Sequence, residues 1–433
     1  MTPTQSPSPA RRTRGPTEER ILEALDVDGM VEAARELVRI PSVSGEETPA
    51  QEFVASLMQA HGMDVDRWVI PMEEVGAHPA YGAEVLRRDP LGVVGTWAGS
   101  GGGRDLILNG HVDVVPPGDA SLWHHPPFSG LVRDGRLHGR GALDLKGPLV
   151  AGIFALDAIR RAGVTLAGTV HLMSVVGEED GGMGTLAAIL RGYRAHGAVV
   201  LEPTELAVAP AQAGCLSFRI RVAGRAAHGA VREEGVSALE KLIPVYRALQ
   251  SLESERNRRL SGDPLFGRYS IPFPVSVGTV RGGDWASSVP DRVTIEGRMG
   301  LAPGEDPEAA RREMETAVAA TAGQDPWFRE HPPGVEWWGG RFLAARTDPD
   351  DPLVRTLHGA ASDVLGREVA VEGMPYGADM GILSQVAGIP TVLFGAGDIR
   401  RAHRPDESVS VDELADMARV LALATLRFCR PSA

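Results

Sequence analysis

The chain has 433 residues, of which 43% are hydrophobic and 23% are charged. This composition is typical of a globular protein of about two or three domains and excludes a largely disordered chain. Lys and Arg number 44 against 57 Asp and Glu, and the net charge of -13 argues against nucleic acid as a partner.

Secreted and membrane proteins are disfavoured as well. Cys215 and Cys429 are the only cysteines, too few for a disulfide framework, so we expect a cytoplasmic protein. The apolar runs are too short to cross a bilayer, and no membrane partner is expected. Residues 1–17 are rich in Pro, Ser, Thr and Arg and lack an apolar segment after Arg11 and Arg12. They predict a disordered tail rather than a secretion signal.

Apolar strands and amphipathic helices alternate through the first half of the chain, which predicts an α/β domain with a doubly wound sheet. The predicted strands are 106–108, 170–176 and 199–201, and the predicted helices are 148–161 and 185–194. Gly163 and Gly197 stand where these two helices are expected to end.

The pattern changes at Leu216, where apolar and charged residues begin to alternate as in a strand with one solvated face. The next predicted elements are helix 238–252, strands 275–280 and 289–295, helix 306–320 and strand 335–338. This βαββαβ order is ferredoxin-like. After a turn at 348–352 the α/β pattern resumes with helix 353–365, strand 391–394 and helix 411–428. We therefore predict one domain from 18–213 and 341–433, with residues 214–340 inserted into it.

Acidic and imidazole side chains come directly after several predicted strands. Ligands of open α/β sheets bind beyond the carboxyl ends of strands, so residues far apart in sequence can converge there. Two imidazoles and several carboxylates suit zinc or a similar divalent ion. The residues concerned are His111 and Asp113, Asp144, Glu178 and Glu179, Glu202, and His403.

The first two of these positions each have two interpretations. In an extended segment His111 and Asp113 point the same way, so the Asp113 carboxylate can hydrogen-bond a metal-binding imidazole. The alternative is a local turn at the end of the strand. Asp144 lies in a glycine-framed turn before a helix, where it can bind metal or cap the helix.

The remaining positions are also ambiguous when taken singly. Glu178, Glu179 and Asp180 repel one another and require a nearby cation or open water. One carboxylate can bind metal while its neighbour serves as a general base, although a solvated acidic turn has the same sequence. Glu202 and His403 are individually uninformative, since both suit an ordinary surface position.

Six segments in chain order resemble the M20 family of metallopeptidases and deacylases, and within it the acetylornithine deacetylase and succinyl-diaminopimelate desuccinylase branch. They are NGHVDVVP (109–116), GRGALDLKG (139–147), GEEDGG (177–182), LEPT (201–204), GRAAHGA (224–230) and FGAGDIRRAHRPDE (394–407). The resemblance implies a zinc-peptidase-like catalytic domain with a mixed, mostly parallel sheet. It also implies that the inserted ferredoxin-like α+β domain serves for dimerisation and as a lid.

The resemblance further implies roles for individual residues. His111, Asp144 and Glu202 would hold one zinc ion, and Asp144, Glu179 and His403 would hold a second, with cobalt or manganese as alternative metals. Asp113 would orient His111, and Glu178 would be the general base for a water shared by the two ions. His228 would reach the site across a homodimer interface and stabilise the oxyanion.

One departure from the family pattern concerns the substrate. Many members place Asn and Arg at two positions of the inserted domain to bind a substrate carboxylate, and this chain has Ser287 and Gly300 there. Arg298 would share a strand face with Gly300, so it is the candidate replacement.

These features together predict a metal-dependent amidohydrolase. Its substrate would be a small molecule with an N-acetyl, N-succinyl or N-formyl amide on an amino acid or related amine. A dipeptidase or aminoacylase of the same family is the nearest alternative. A non-catalytic metabolite-binding protein is an alternative of another class. A nucleotide-binding α/β enzyme is disfavoured because the sequence has no phosphate-binding loop.

Overall fold

The computed structural model describes residues 14–260, 262–323 and 325–431, and their strands form three sheets. The strands are β1 (Asp64–Val69), β2 (Leu91–Trp97), β3 (Leu106–His111), β4 (Leu131–Arg133), β5 (Arg136–His138), β6 (Val170–Val175), β7 (Gly197–Val200), β8 (Val208–Gln212), β9 (Gly214–Ala223), β10 (Val275–Gly282), β11 (Arg292–Leu301), β12 (Gly334–Phe342), β13 (Ala345–Arg346), β14 (Val371–Met374), β15 (Thr391–Leu393) and β16 (Ser408–Ser410). The helices are α1 (Pro16–Glu23), α2 (Val27–Arg39), α3 (Thr48–Ala60), α4 (Met72–Gly76), α5 (Lys146–Arg161), α6 (Met183–Leu190), α7 (Ala238–Leu260), α8 (Pro307–Ala320), α9 (Pro326–Glu330), α10 (Pro352–Leu365) and α11 (Val411–Phe428).

The largest sheet has nine strands, with the order β1-β2-β6-β3-β7-β15-β8-β13 and β14 paired to β8. Its centre is parallel, because β6, β3, β7 and β15 are neighbours that run in the same direction. Antiparallel strands flank this centre. Strands β3 and β7 are buried along their whole length, as expected for central parallel strands covered on both faces. The predicted α/β class is confirmed.

The two predicted helix ends have different outcomes. Helix α5 ends at Arg161 and is followed by Gly163 with a φ of 68°, as predicted. The prediction for Gly197 is wrong, because this residue is the first of β7. Helix α6 already ends at Leu190, and Gly192, with a φ of 107°, takes the left-handed conformation after it.

The second sheet is antiparallel, with the order β10-β11-β9-β12. The chain order β9, α7, β10, β11, α8, β12 is the predicted βαββαβ arrangement. Phe218, Ile220 and Val222 of β9 are buried in a core shared with α7 and α8. Arg219 and Arg221 on the opposite face pair with carboxylates of neighbouring strands, so the second half of β9 has one wet face as predicted, whereas residues 214–218 are buried on both faces. Strand β11 begins at Arg292, three residues later than expected.

Two further predictions concern the N-terminal residues and the absence of a membrane-spanning helix. Residues 1–13 of the predicted tail lie outside the described residues. Helix α1 begins at Pro16, inside the range predicted to be disordered, with Gly15 at its N-cap. Within the described ranges, the helices all lack the combination of length and apolar character that a membrane crossing needs.

Candidate active site

The parallel centre of the large sheet explains why distant residues meet. Its four strands end at the same edge, and an acidic or imidazole side chain lies at the end of each strand or in the connection after it. Strand β3 ends in His111, β6 precedes the Glu178 and Glu179 turn, and β7 precedes Glu202. His403 lies in the connection between β15 and β16.

Among the described residues, two groups of three side chains are arranged like metal ligands, and both include Asp144. In the first group, His111 Nε2 lies 3.2 Å from Asp144 Oδ1 and 3.7 Å from Glu202 Oε1. In the second, His403 Nε2 lies 3.3 Å from Asp144 Oδ2 and 3.1 Å from Glu179 Oε1. The two oxygens of Asp144 therefore serve different groups, as a bridging ligand requires.

The electrostatics of the site favour bound cations. Burial and the neighbouring Asp144 charge raise the pKa of Glu202 well above its usual range, and burial raises the pKa of Glu178 in the same direction. The charge of Glu179 raises the pKa of His403 to about 11. Glu202 Oε1 is buried without a hydrogen-bond partner among the described residues. Together with two imidazoles and several carboxylates, this unpaired oxygen fits a pair of divalent metal ions.

The alternative role of Asp144 as a helix cap is not the one observed. Helix α5 begins at Lys146, and the residue at its N-cap forms no side-chain cap hydrogen bond. The turn containing Asp144 is instead held by Glu407, whose Oε1 accepts the backbone N–H of Leu143 at 3.1 Å and of Asp144 at 3.2 Å. Glu407 also forms a buried ion pair with Arg140 at 2.5 Å.

The contact between His111 and Asp113 differs from the expectation in the atoms involved. His111 Nδ1 lies 2.9 Å from the main-chain oxygen of Asp113, whereas the nearest carboxylate oxygen is 3.7 Å away. With Nδ1 donating to this carbonyl, Nε2 is free to bind a metal. The Asp113 carboxylate instead accepts the backbone N–H groups of Glu178 at 3.2 Å and Glu179 at 3.1 Å.

The acid turn, residues 177–182, begins at Gly177, whose φ of 69° suits a glycine. The three successive acids require charge compensation, and an arginine supplies part of it. Arg87 pairs with Asp180 through two hydrogen bonds of 3.0 and 2.8 Å. Arg87 is not among the residues predicted from sequence, because it lies outside the recognisable motifs.

A cavity of about 320 Å³ opens beside the two side-chain groups that share Asp144, and Glu178 and Glu179 line it. Arg298 also lines it, with its guanidinium 5.3 Å from the centre of the Phe342 ring. Within the described part of the chain, Arg298 forms no ion pair with a carboxylate. A Cβ atom at Gly300 would lie 2.9 Å from the main chain of Phe273, so the position where the family has Arg is closed to a side chain.

His228 does not join the other predicted residues within one chain. It is exposed on the inserted part, and the described residues that line the cavity do not include it. Its Nδ1 accepts the backbone N–H of Ala230 at 3.1 Å, which leaves Nε2 as a hydrogen-bond donor facing solvent.

The chain is similar to known proteins over most of its length. A family model described as peptidase family M20/M25/M40 matches residues 107–427. An N-formyl-4-amino-5-aminomethyl-2-methylpyrimidine deformylase from Halalkalibacterium halodurans is 30% identical over 406 residues, which cover 88% of this chain and 89% of that protein. A probable carboxypeptidase from Aspergillus terreus is 30% identical over 399 residues, covering 88% of this chain and 82% of that one.

Among solved structures, the dipeptidase Dug1p from Saccharomyces cerevisiae has a TM-score of 0.75 at 15% identity, with 95% of this chain and 98% of that chain covered. At that identity the likeness concerns the fold. The match to the family model over most of the chain shows which family the chain belongs to. The protein belongs to the M20/M25/M40 peptidase family and is a hydrolase of that family.

Proposed function

We propose that the chain is a dimetal amidohydrolase that removes a small acyl group from an amine. The observation that supports this proposal best is the pair of ligand groups sharing Asp144, with Glu178 beside them at the wall of the cavity. When bound, two divalent ions, which we propose to be zinc, would polarise the substrate carbonyl and make a water acidic enough to deprotonate near neutral pH.

Glu178 is the proposed general base. Its Oε2 lies 3.9 Å from His111 Nε2, yet Glu178 belongs to neither ligand group, so its carboxylate stays available for proton transfer. It takes a proton from the attacking water and passes it to the amine nitrogen as the C–N bond breaks. The products are a carboxylic acid and a free amine, which balances the hydrolysis.

The substrate is proposed to be an N-acyl compound rather than a peptide because one relative of high coverage is a deformylase. The carboxypeptidase and dipeptidase names among the other matches keep a peptidase as the second candidate. The test is a panel of N-formyl, N-acetyl and N-succinyl amines and amino acids against dipeptides, assayed with zinc, cobalt or manganese. Faster hydrolysis of the acyl compounds supports the proposal. Faster hydrolysis of the dipeptides favours the peptidase, and binding without turnover would support a binding protein.

Arg298 is proposed to bind an anionic group of the substrate. Replacing it with Met is expected to raise KM for carboxylate-bearing substrates by about 10- to 100-fold, because a charge-assisted hydrogen bond is lost. Neutral formamides should keep their KM. The measurement is steady-state kinetics on both classes, with Arg281→Met, on strand β10 of the same sheet, as the control. Equal changes in KM for both classes would contradict this role.

A homodimer is proposed because an exposed apolar surface lies next to His228. Leu239, Val280 and Trp285 line one groove and are 54%, 60% and 75% exposed. Ser288 belongs to the same groove and forms a β-bridge with His228. Exposed apolar patches of this kind mark interaction surfaces. We propose that residues 214–340 form the dimerisation domain and that His228 completes the site of the partner subunit.

Mixing two inactive variants tests this arrangement. His228→Ala and Glu178→Gln should each have little activity alone. In a mixed dimer, one site combines an intact Glu178 with the His228 of the other chain. Random mixing should therefore restore about a quarter of wild-type activity, since half of the dimers carry one complete site. Unfolding and refolding the two variants together, followed by an activity assay, measures this. Recovery that stays at the level of the separate variants would refute action across the interface.

A further inference from the structure

The loop that precedes β2 is fastened to the acid turn through Asp180. Asp180 Oδ2 accepts the backbone N–H of Glu84 at 3.1 Å and of Val85 at 2.7 Å, and Arg87 binds both carboxylate oxygens. Arg87 Nε also binds Glu47 at 2.8 Å. The side chains of Arg87 and Asp180 are 1% and 6% exposed, so these hydrogen bonds are shielded from water. We call residues 79–87 the bracing loop.

The bracing loop also contacts the inserted sheet, through Glu84. Glu84 Oε1 accepts the backbone N–H of Gly340 at 2.8 Å and the hydroxyl of Ser217 at 3.1 Å. The pairing of β12 with β9 is irregular at this point. A Cβ atom at Gly339, whose φ is 65°, would lie 2.6 Å from Glu84 Cγ. The strand is therefore shaped around the Glu84 side chain.

The acid turn is held from both sides. On one side the Asp113 carboxylate accepts the backbone N–H groups of Glu178 and Glu179. On the other side Arg87 packs against Gly177, where a Cβ atom would be 3.0 Å from the guanidinium carbon. Movement of the bracing loop therefore acts on the backbone that carries Glu178.

We propose that Glu84 and Arg87 are positioning residues that couple the inserted sheet to the acid turn. The hydrogen bonds of Glu84 fix the loop to β9 and β12, so a displacement of these strands displaces the loop. Because the loop is bonded to Asp180, its displacement shifts the backbone of Glu178 and Glu179. The catalytic consequence rests on the proposed function, because it assumes that Glu178 is the general base. The mechanical coupling stands on the contacts alone.

Glu84→Ala tests the coupling, and Leu86→Ala is the matched control because Leu86 lies in the same loop with its side chain 96% exposed. Glu84→Ala is expected to lower kcat about tenfold with KM changed less than about twofold, as misplacement of a catalytic group would do. In the metal-free protein, amide hydrogen exchange of peptides covering residues 176–183 should become faster. Leu86→Ala should leave both measurements unchanged. Unchanged exchange at residues 176–183 in Glu84→Ala would overturn the coupling.

A double-mutant cycle with Asp180→Asn tests the route, and it avoids the unpaired buried charges that removal of Arg87 would leave. If the effect passes through Asp180, the kcat of the double variant Glu84→Ala/Asp180→Asn should be no lower than that of the single variant with the lower kcat. A fold-loss of kcat in the double variant equal to the product of the two single fold-losses would overturn the route through Asp180. If the wild-type protein hydrolyses no compound of the panel, the proposed function fails, and the exchange measurement alone then decides the coupling.

Discussion

Replacing Glu178 with Gln is expected to lower kcat by about 10³-fold or more, because the amide cannot accept the proton of the attacking water. Metal binding should persist, since Glu178 belongs to neither ligand group. Gln keeps the size of the side chain, and the backbone N–H of residue 178 still binds Asp113. The measurements are kcat on the best acyl substrate and metal content after dialysis.

The control for this variant is Glu205→Gln, a carboxylate in the turn that follows Glu202 on the exposed side. Glu205 pairs with Arg268 and lies outside both ligand groups. It should retain nearly full activity. Activity of the Glu178 variant within about tenfold of wild type would exclude the assignment as general base.

Replacing Asp144 with Asn is expected to remove activity by a different route, the loss of metal. Asp144 is the residue common to both groups, and its two oxygens face His111 and His403. The neutral amide supplies only one oxygen, so the affinity of at least one site should fall by more than about 100-fold. Titration calorimetry with zinc on the metal-free protein measures the number and strength of sites.

Asp406→Asn is the matched control for this second variant. Asp406 lies in the same final segment as His403 but pairs with the exposed His124. Its metal titration should match the wild type, with about two sites per chain. Two sites of unaltered affinity in Asp144→Asn would mean that the shared carboxylate does not bridge the ions.

The convergence of the two side-chain groups on Asp144 could be predicted from sequence because the ends of strands carry the signal. His111, the Glu178–Glu179 pair and Glu202 each follow a short apolar run, and parallel strands end at one edge of a sheet. Asp144 and His403 belong to the same set of candidates, but their local sequences, like that of Glu202, are ambiguous, and only the family motifs imply which residues share an ion. The order of strands and helices in residues 214–340 could also be predicted from sequence, because the alternating pattern of a strand differs clearly from the periodicity of a helix.

The supporting contacts could not be anticipated in the same way. Arg87 lies in an irregular loop and finds Asp180 across 93 positions of the chain, which periodicity does not reveal. The Asp113 carboxylate was expected to face an imidazole, but the backbone amides of the acid turn compete for it successfully. The prediction for Gly197 is wrong because a glycine that begins a buried strand and one that ends a helix look alike in sequence. Whether His228 acts in a partner subunit remains a prediction.

The order of the ligands along the chain has a consequence for how the protein matures. His111, Asp144 and Glu202 all precede the inserted sheet, whereas His403 follows it. During synthesis the side chains of the first group are therefore made long before His403, which follows some two hundred residues later, and the turn that carries Asp144 gains its Glu407 hydrogen bonds only after that. On the proposed function, a nascent chain holds the residues of the first ion site well before those of the second, which are complete only shortly before the final helix is made.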